Sequence, residues 1–179
     1  MGITAKGHGA LLRLYQRLPT KARRLVVRTI APSYTVGSMC IIERPDGAVL
    51  LVRQAYRRRW GIPGGLLERG ESTADAARRE VREEVGLDIV LMGEPAVVVD
   101  PVPQRVDVVY RARPVAGADL DAVGPGSPEI VEVRWFSAEA LPELQAESVG
   151  AFIALARASR SPQSQPIVSA HHLPRERAS

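Results

Sequence analysis

Cys40 is the one cysteine in 179 residues, so the chain can build neither an internal disulfide nor a zinc site of several thiolates. That scarcity suits a reducing compartment, and a cytoplasmic location is the expectation. No apolar run approaches the ~20 residues that a membrane-spanning helix requires. Acidic residues are missing from the first thirty positions, which carry Lys6, Arg13, Arg17, Lys21, Arg23, Arg24 and Arg28. The apolar positions between these cations are interrupted before a signal-peptide core forms, so this is not read as an export signal. Histidine is scarce too: His171 and His172 lie in a polar tail where solvent exposure is the plain reading, and His8 carries no signal. Internal repeats are absent.

What is present fits one globular domain with appendages. The chain is 45% hydrophobic and 25% charged, and its length accommodates one real core more readily than two. The net charge of +4 is modest. Much of it sits in the N-terminal stretch, which confines any contact with nucleic acid or an anionic membrane to that segment.

Three regions follow from patterning. Residues 1–33 form a basic amphipathic extension, with Leu11, Leu12, Leu14, Leu18, Leu25, Val26 and Ile30 among arginines and a break near Pro19. They read as one kinked or two short helices, packed on the domain or on a second subunit of a homodimer. Residues 34–157 form the domain. SYTVGSMCIIE and AVLLVRQ flank the turn signal Pro45-Asp46-Gly47 and read as a hairpin-like pair of strands. Residues 73–85 read as a helix, and DIVLMGEPAVVVD, RVDVVYRARP and EIVEVRWF as further strands. Ser137 suggests the N-cap of a short helix ending near Leu144, and 147–159 a last apolar-faced helix. Residues 158–179 are polar and proline-bearing, a loosely held tail.

The chemistry concentrates between Gly65 and Leu87. Ser72 with Asp75 three residues on resembles a capping box, and Gly86 stands where a left-handed C-cap belongs. On the helix between them Ala77, Val81 and Val85 fall along one stripe, and Glu80, Glu83 and Glu84 crowd the adjoining flank. Carboxylates three and four apart repel by roughly 0.2–0.5 kcal/mol per pair. A cation seated among them removes that cost, and hard oxygen donors suit magnesium or manganese shared with substrate phosphates. Arg79 can reach Glu83 one turn on, and Glu71 precedes the helix, where its dipole favours a carboxylate. The plainer alternative is a solvated face whose Arg78, Arg79 and Arg82 balance the glutamates in weak surface pairs.

Gly65, Glu71, Arg79, Glu80, Val81, Glu83, Glu84, Gly86 and Leu87 together resemble the signature of the Nudix hydrolases, without departure at any fixed position. Trp60 to Gly65, and Val133 to Phe136 with Leu141-Pro142, are similar to further family landmarks, so the resemblance covers roughly 34–157. It implies an α/β fold, an α/β/α sandwich with a mixed β-sheet. It also implies hydrolysis of a pyrophosphate bond in a nucleoside diphosphate derivative, with Mg2+ (Mn2+ as substitute) and a water nucleophile. By the same resemblance Glu80 and Glu84 are the main metal ligands, with Glu83 a further ligand or base and the Gly65 carbonyl an added donor. Arg79 and Glu71 orient them. The general base stays open between Glu80 and Glu129, the latter following the loop VGPGSP. Arg53, Arg58 and Gly64 are candidates to bind the substrate, the arginines through its phosphates, though a strand alternates its faces and turns some of the four arginines at 53 and 57–59 to solvent. Tyr56, Trp60 and Trp135 read as packing before base stacking.

Pro103 stands sixteen residues after Leu87, a spacing that resembles the ADP-ribose-hydrolysing members; it ranks ADP-ribose or a nucleotide sugar above a nucleoside triphosphate as the small-molecule partner. Three alternatives remain. One is a pyrophosphohydrolase of (deoxy)nucleoside triphosphates, another a non-catalytic nucleotide sensor or interaction module, against which the retention of every signature acid argues, and the third nucleic-acid processing with the basic N-terminal segment on the phosphates.

Overall fold

The computed structural model describes residues 18–20, 22–23 and 33–160. The extension expected over 1–33 and the tail over 158–179 fall almost entirely outside them. Eight elements follow in order: β1 (Thr35–Ile42), β2 (Val49–Gln54), β3 (Gly64–Leu66), α1 (Thr73–Val85), β4 (Ile89–Asp100), β5 (Arg105–Pro114), β6 (Ile130–Phe136) and α2 (Ala146–Arg160). Among the described residues no helix is long and apolar enough to cross a membrane.

β1 is buried without interruption from Gly37 to Ile42, and β2 from Val49 to Val52. Continuous apolar runs of this kind are what a sheet covered on both faces needs. Alternation then sorts the side chains into two cores. Cys40, Ile42, Leu50, Val52, Tyr110 and Ala112 meet Ala77, Val81 and Val85 of α1. Met39, Ile41, Val49, Leu51 and Val109 meet Ala151 and Leu155 of α2. The result is the expected α/β/α sandwich.

The main sheet runs β3-β1-β5-β4, with β1 and β5 parallel and the outer pairs antiparallel; β2 and β6 form a separate antiparallel ladder. The sheet is therefore mixed, as expected. Three local expectations are corrected. β1 and β2 meet through the Arg44–Ala48 turn but share a single bridge, Glu43 with Val49. They then part, because β1 has both edges taken by β3 and β5 and β2 pairs with β6. A loop is the plain reading of the glycine-rich stretch from Gly64 to Gly70, yet the chain first adds β3 to β1, with Gly65 opposite Ser38. Residues 137–144 make a turn rather than a short helix. Ser137 does accept from the Glu139 N–H at 3.3 Å and the Ala140 N–H at 3.0 Å, but Pro142 disfavours a helical Leu141, and Leu144 goes on to bridge Trp60.

Candidate active site

Helix α1 begins and ends as its sequence specifies. The Ser72 hydroxyl accepts from the Asp75 N–H at 3.1 Å, and Gly86 takes the left-handed conformation at φ 70°. The helix is pinned to the sheet at its first turn: Ser38 donates to the Thr73 carbonyl at 2.8 Å, and the Thr73 hydroxyl meets the Tyr110 hydroxyl at 2.7 Å. One turn on, Cys40 lies under Ala77, and burial pushes its thiol up to about 12. It packs; it does not react.

That docking carries the acidic flank of α1 against β3. Glu84 is 8% exposed, and one of its oxygens accepts from the Gly64 N–H at 2.9 Å. Glu80 lies over Gly65 so closely that a Cβ there would overlap its carboxylate. The two glycines serve different ends. Gly65 makes room for an acid from the helix, and a side chain at Gly64 would strike the Ser38 carbonyl and Met39 Cα of β1.

Arg79 organises the rest. Its Nε and one terminal nitrogen donate to the two Glu71 oxygens, both at 2.9 Å, and that same nitrogen reaches the Leu66 carbonyl at 3.1 Å. The other terminal nitrogen donates to Glu80 at 2.8 Å and Glu83 at 3.2 Å. Glu71 also accepts from the Glu68 N–H at 2.9 Å. The fork from Arg79, helped by that N–H, holds the Glu71 carboxyl down at about 2. A bidentate guanidinium fixes direction as well as charge, so Glu71 acts on the acids through Arg79.

Glu129 approaches from another part of the chain. Its carbonyl accepts from the Ala55 N–H at 2.8 Å, and the loop before it leans on the end of α1, where the Gly126 N–H donates to the Glu84 carbonyl at 2.8 Å. Burial pushes the Glu84 carboxyl up to about 7; the Gly64 N–H opposes this, and the negative charges of Glu80, Glu129 and Glu83 add to it. Four carboxylates thus influence one another around a group whose charge the protein leaves poorly compensated.

Among the described residues no three acidic, cysteine or histidine side chains already converge as a cage for a cation. Arg79 occupies Glu80 and Glu83, and Glu84 turns to a backbone N–H. The donors nevertheless fit a hard divalent ion, since all are oxygens on one flank and the under-compensated charge of Glu84 favours a cation over its proton. Such an ion must compete with Arg79 for Glu80 and Glu83.

The two arginines expected to meet phosphate divide. Arg53 is engaged with Glu132 at 2.9 and 2.6 Å across the β2–β6 ladder and lies 5.9 Å over the Trp60 ring. Trp60 itself packs edge-on against Phe136 with centroids 4.8 Å apart, in agreement with a packing role. Arg58 carries no ion pair among the described residues and lines an open cavity of about 570 Å³ with Tyr56, Arg57, Arg59, Gln145 and Glu147. Arg57 and Arg59 answer Glu147 at 3.4 Å and Glu143 at 2.6 Å. None of Glu80, Glu83, Glu84 and Glu129 lines this cavity. Pro103 lies in the exposed turn between β4 and β5.

Sequence reasoning missed Ser38, Thr73 and Tyr110, whose contacts set the helix on the sheet, and Gly126. A Cβ at Gly126 would collide with the Glu83 carbonyl. The glycine in VGPGSP is visible in the sequence, but its partner forty-three residues earlier is not.

A model of the NUDIX domain matches residues 33–155. A MutT-like protein of Streptomyces ambofaciens is 29% identical over 134 residues, which cover 75% of this chain and 80% of that protein. The 8-oxo-dGDP phosphatase of Homo sapiens is 30% identical over 148 residues, covering 79% of this chain and 44% of its own length. The chain thus spans about half of that relative. An ADP-ribose pyrophosphatase from Streptococcus suis superposes with a TM-score of 0.55 at 28% identity, covering 74% of this chain and 97% of that one. With the unbroken Gly65–Leu87 pattern and the sandwich that presents it, these matches establish that the chain belongs to the Nudix hydrolases, enzymes that use divalent metals to act on nucleotides.

Proposed function

We propose that the chain hydrolyses a pyrophosphate bond in a nucleoside diphosphate derivative, ADP-ribose or a nucleotide sugar, with Mg2+ as the resident ion and Mn2+ as its substitute. The observation that carries this reading is the buried Glu84 carboxylate, held at about 7 amid Glu80, Glu83 and Glu129 beside the Gly64-Gly65 strand. A protein gains nothing in stability from gathering these acids, whereas a bound cation relieves them.

Glu80, Glu84 and the Gly65 carbonyl hold the metal, with Glu83 as a further ligand or base. The ion supplies charge neutralisation to the diphosphate and acidity to the attacking water. Arg79, fixed by Glu71, keeps Glu80 and Glu83 in register with β3. Glu80 takes the proton of the water, with Glu129 the other candidate base. Arg58 meets a substrate phosphate at the cavity mouth, whereas Gly64, packed against β1 and bonded to Glu84, serves the acid and not the substrate. Arg53, engaged with Glu132, supports β6 and Trp60 instead.

The substrate ranking rests on the spacing of Pro103 and on the ADP-ribose pyrophosphatase among the similar structures. A second reading, a purine (deoxy)nucleoside di- or triphosphate, is favoured by the similarity to an 8-oxo-dGDP phosphatase. A panel of ADP-ribose, nucleotide sugars, 8-oxo-dGDP, 8-oxo-dGTP and the ordinary triphosphates, incubated with Mg2+ and resolved by chromatography beside Glu84→Gln, decides. Turnover of ADP-ribose or a nucleotide sugar that vanishes in the variant supports the first reading. Turnover confined to the purine di- and triphosphates selects the second. Tight binding without product in either protein refutes both.

A further inference from the structure

A strip of valines lies on the α1 face of the main sheet: Val108 packs against the core under α1, and the strip runs on from it past the first turn of that helix. Val97 stands opposite Val108, Val99 opposite Val106, and Val106 opposite Val36. Directly paired residues share a face, as do residues two apart along a strand, so the five form one surface. It continues the face of Tyr110 and Ser38, where the first turn of α1 is fastened through Thr73. Helix α1 runs from there towards Ile42 and leaves the other end of the strands bare. Val97 and Val99 are each 59% exposed and Val36 is 38% exposed. β4 is also the edge of the sheet. Contiguous β-branched residues on an edge are a pairing hazard that folded proteins normally cover.

We propose that the chain's own residues 9–30 cover this strip. The polypeptide reaches β1 through Ser33 and Tyr34, at the Val36 end of the surface, so residues 9–30 are tethered beside it. Their sequence supplies Leu11, Leu14, Leu18, Leu25 and Ile30, with arginines interspersed. These apolar residues match the valines in character. Reach suffices as well, since ten or so helical residues extend ~15 Å and three strands span ~10 Å. A tether of a few residues gives an effective concentration on the order of millimolar, an advantage that a second copy lacks. The inference is independent of the substrate.

The test is trypsin cleavage within residues 13–28 of the full chain, followed by mass spectrometry at two protein concentrations tenfold apart. It compares the wild type with Val97→Asp/Val99→Asp and with Leu11→Asp/Leu14→Asp. Both variants are expected to be cut at least about tenfold faster than the wild type, at rates independent of concentration. Equal cleavage of all three proteins overturns the proposal. Protection that grows with concentration overturns it in favour of a second copy, and protection that appears only with anionic phospholipid vesicles overturns it in favour of a membrane. Should the valine variant fail to fold, the leucine variant, which leaves the sheet untouched, decides alone.

Discussion

Arg79 and Glu71 are joined by two hydrogen bonds of 2.9 Å, and the same guanidinium holds Glu80 and Glu83 with its remaining nitrogen. Lysine cannot reproduce this fork, because its ammonium is a single point donor. Arg79→Lys is therefore expected to lower kcat by about 10–100-fold, the usual cost of losing a group that orients metal ligands. Glu71→Gln should lower it comparably, and the double variant should be little worse than either single one, since both remove one interaction. Steady-state kinetics on the four proteins at saturating metal check this; additive losses would mean that Glu71 has a role apart from Arg79.

The same pair has a pH signature. Glu71 is held at about 2, against an ordinary carboxyl of 4.5. Its folded pKa is depressed, so its contribution to stability is fully present above 4.5 and fades as pH falls from there through about 2. The Tm difference between wild type and Glu71→Gln should accordingly be constant from pH 6 to 8 and shrink below pH 4.5. A gap that instead widened in acid would contradict the pairing.

Glu84 behaves in the opposite sense. Its folded pKa of about 7 lies above 4.5, so the stabilisation that comes with its proton is full below 4.5 and lost as pH rises through about 7. At pH 8, without metal, the ionised group is a burden. Glu84→Gln removes the charge and keeps an oxygen for the Gly64 N–H, and the variant should be more stable than the wild type by on the order of 1–3 kcal/mol. Activity should be abolished. Added Mg2+ should stabilise the wild type and narrow the difference. Thermal melts at pH 5 and pH 8, each with chelator and with Mg2+, read all of this.

How much of this is legible in the sequence depends on whether the cause is local. Helix α1 is, because Ser72, Gly86 and the Ala77-Val81-Val85 stripe mark its ends and its buried side within fifteen residues. So are the alternate faces of β1 and β2, whose unbroken apolar runs demand cover on both sides. β3 is not: three residues, two of them glycine, carry no periodicity, and they become a strand only because β1 offers an edge. The apparent β1–β2 hairpin fails for the same reason, since competing partners elsewhere in the chain decide the pairing. At the site, the identity of the acids is plain, but the burial of Glu84 is not. A flank at the margin of the helix stripe reads as accessible, and only the approach of Gly64 and the Gly126 loop closes it over. Arg53 likewise cannot be separated from Arg58 without knowing that Glu132 lies across the ladder.

Gly65 and Gly126 both make room for α1, one for a side chain and the other for helix backbone, and the two should respond differently to alanine. At Gly65 the added methyl would overlap the Glu80 carboxylate, the far end of a flexible side chain that can swing away. The fold should survive, with a loss of roughly 1 kcal/mol, whereas activity should fall at least about 100-fold as Glu80 leaves its place. At Gly126 the methyl would meet the Glu83 carbonyl, which is helix backbone and cannot yield. The loop must move instead, giving up the Gly126 N–H bond to Glu84 and carrying Glu129 away from the acids. Here stability should drop by about 1–3 kcal/mol, and removing the Glu129 charge should let the Glu84 pKa relax downward. Urea melts rank the two variants, and the pH dependence of Mg2+ binding by calorimetry tests the second effect: in Gly126→Ala the onset of binding should move to lower pH, and an unchanged onset would show that Glu129 does not act on Glu84.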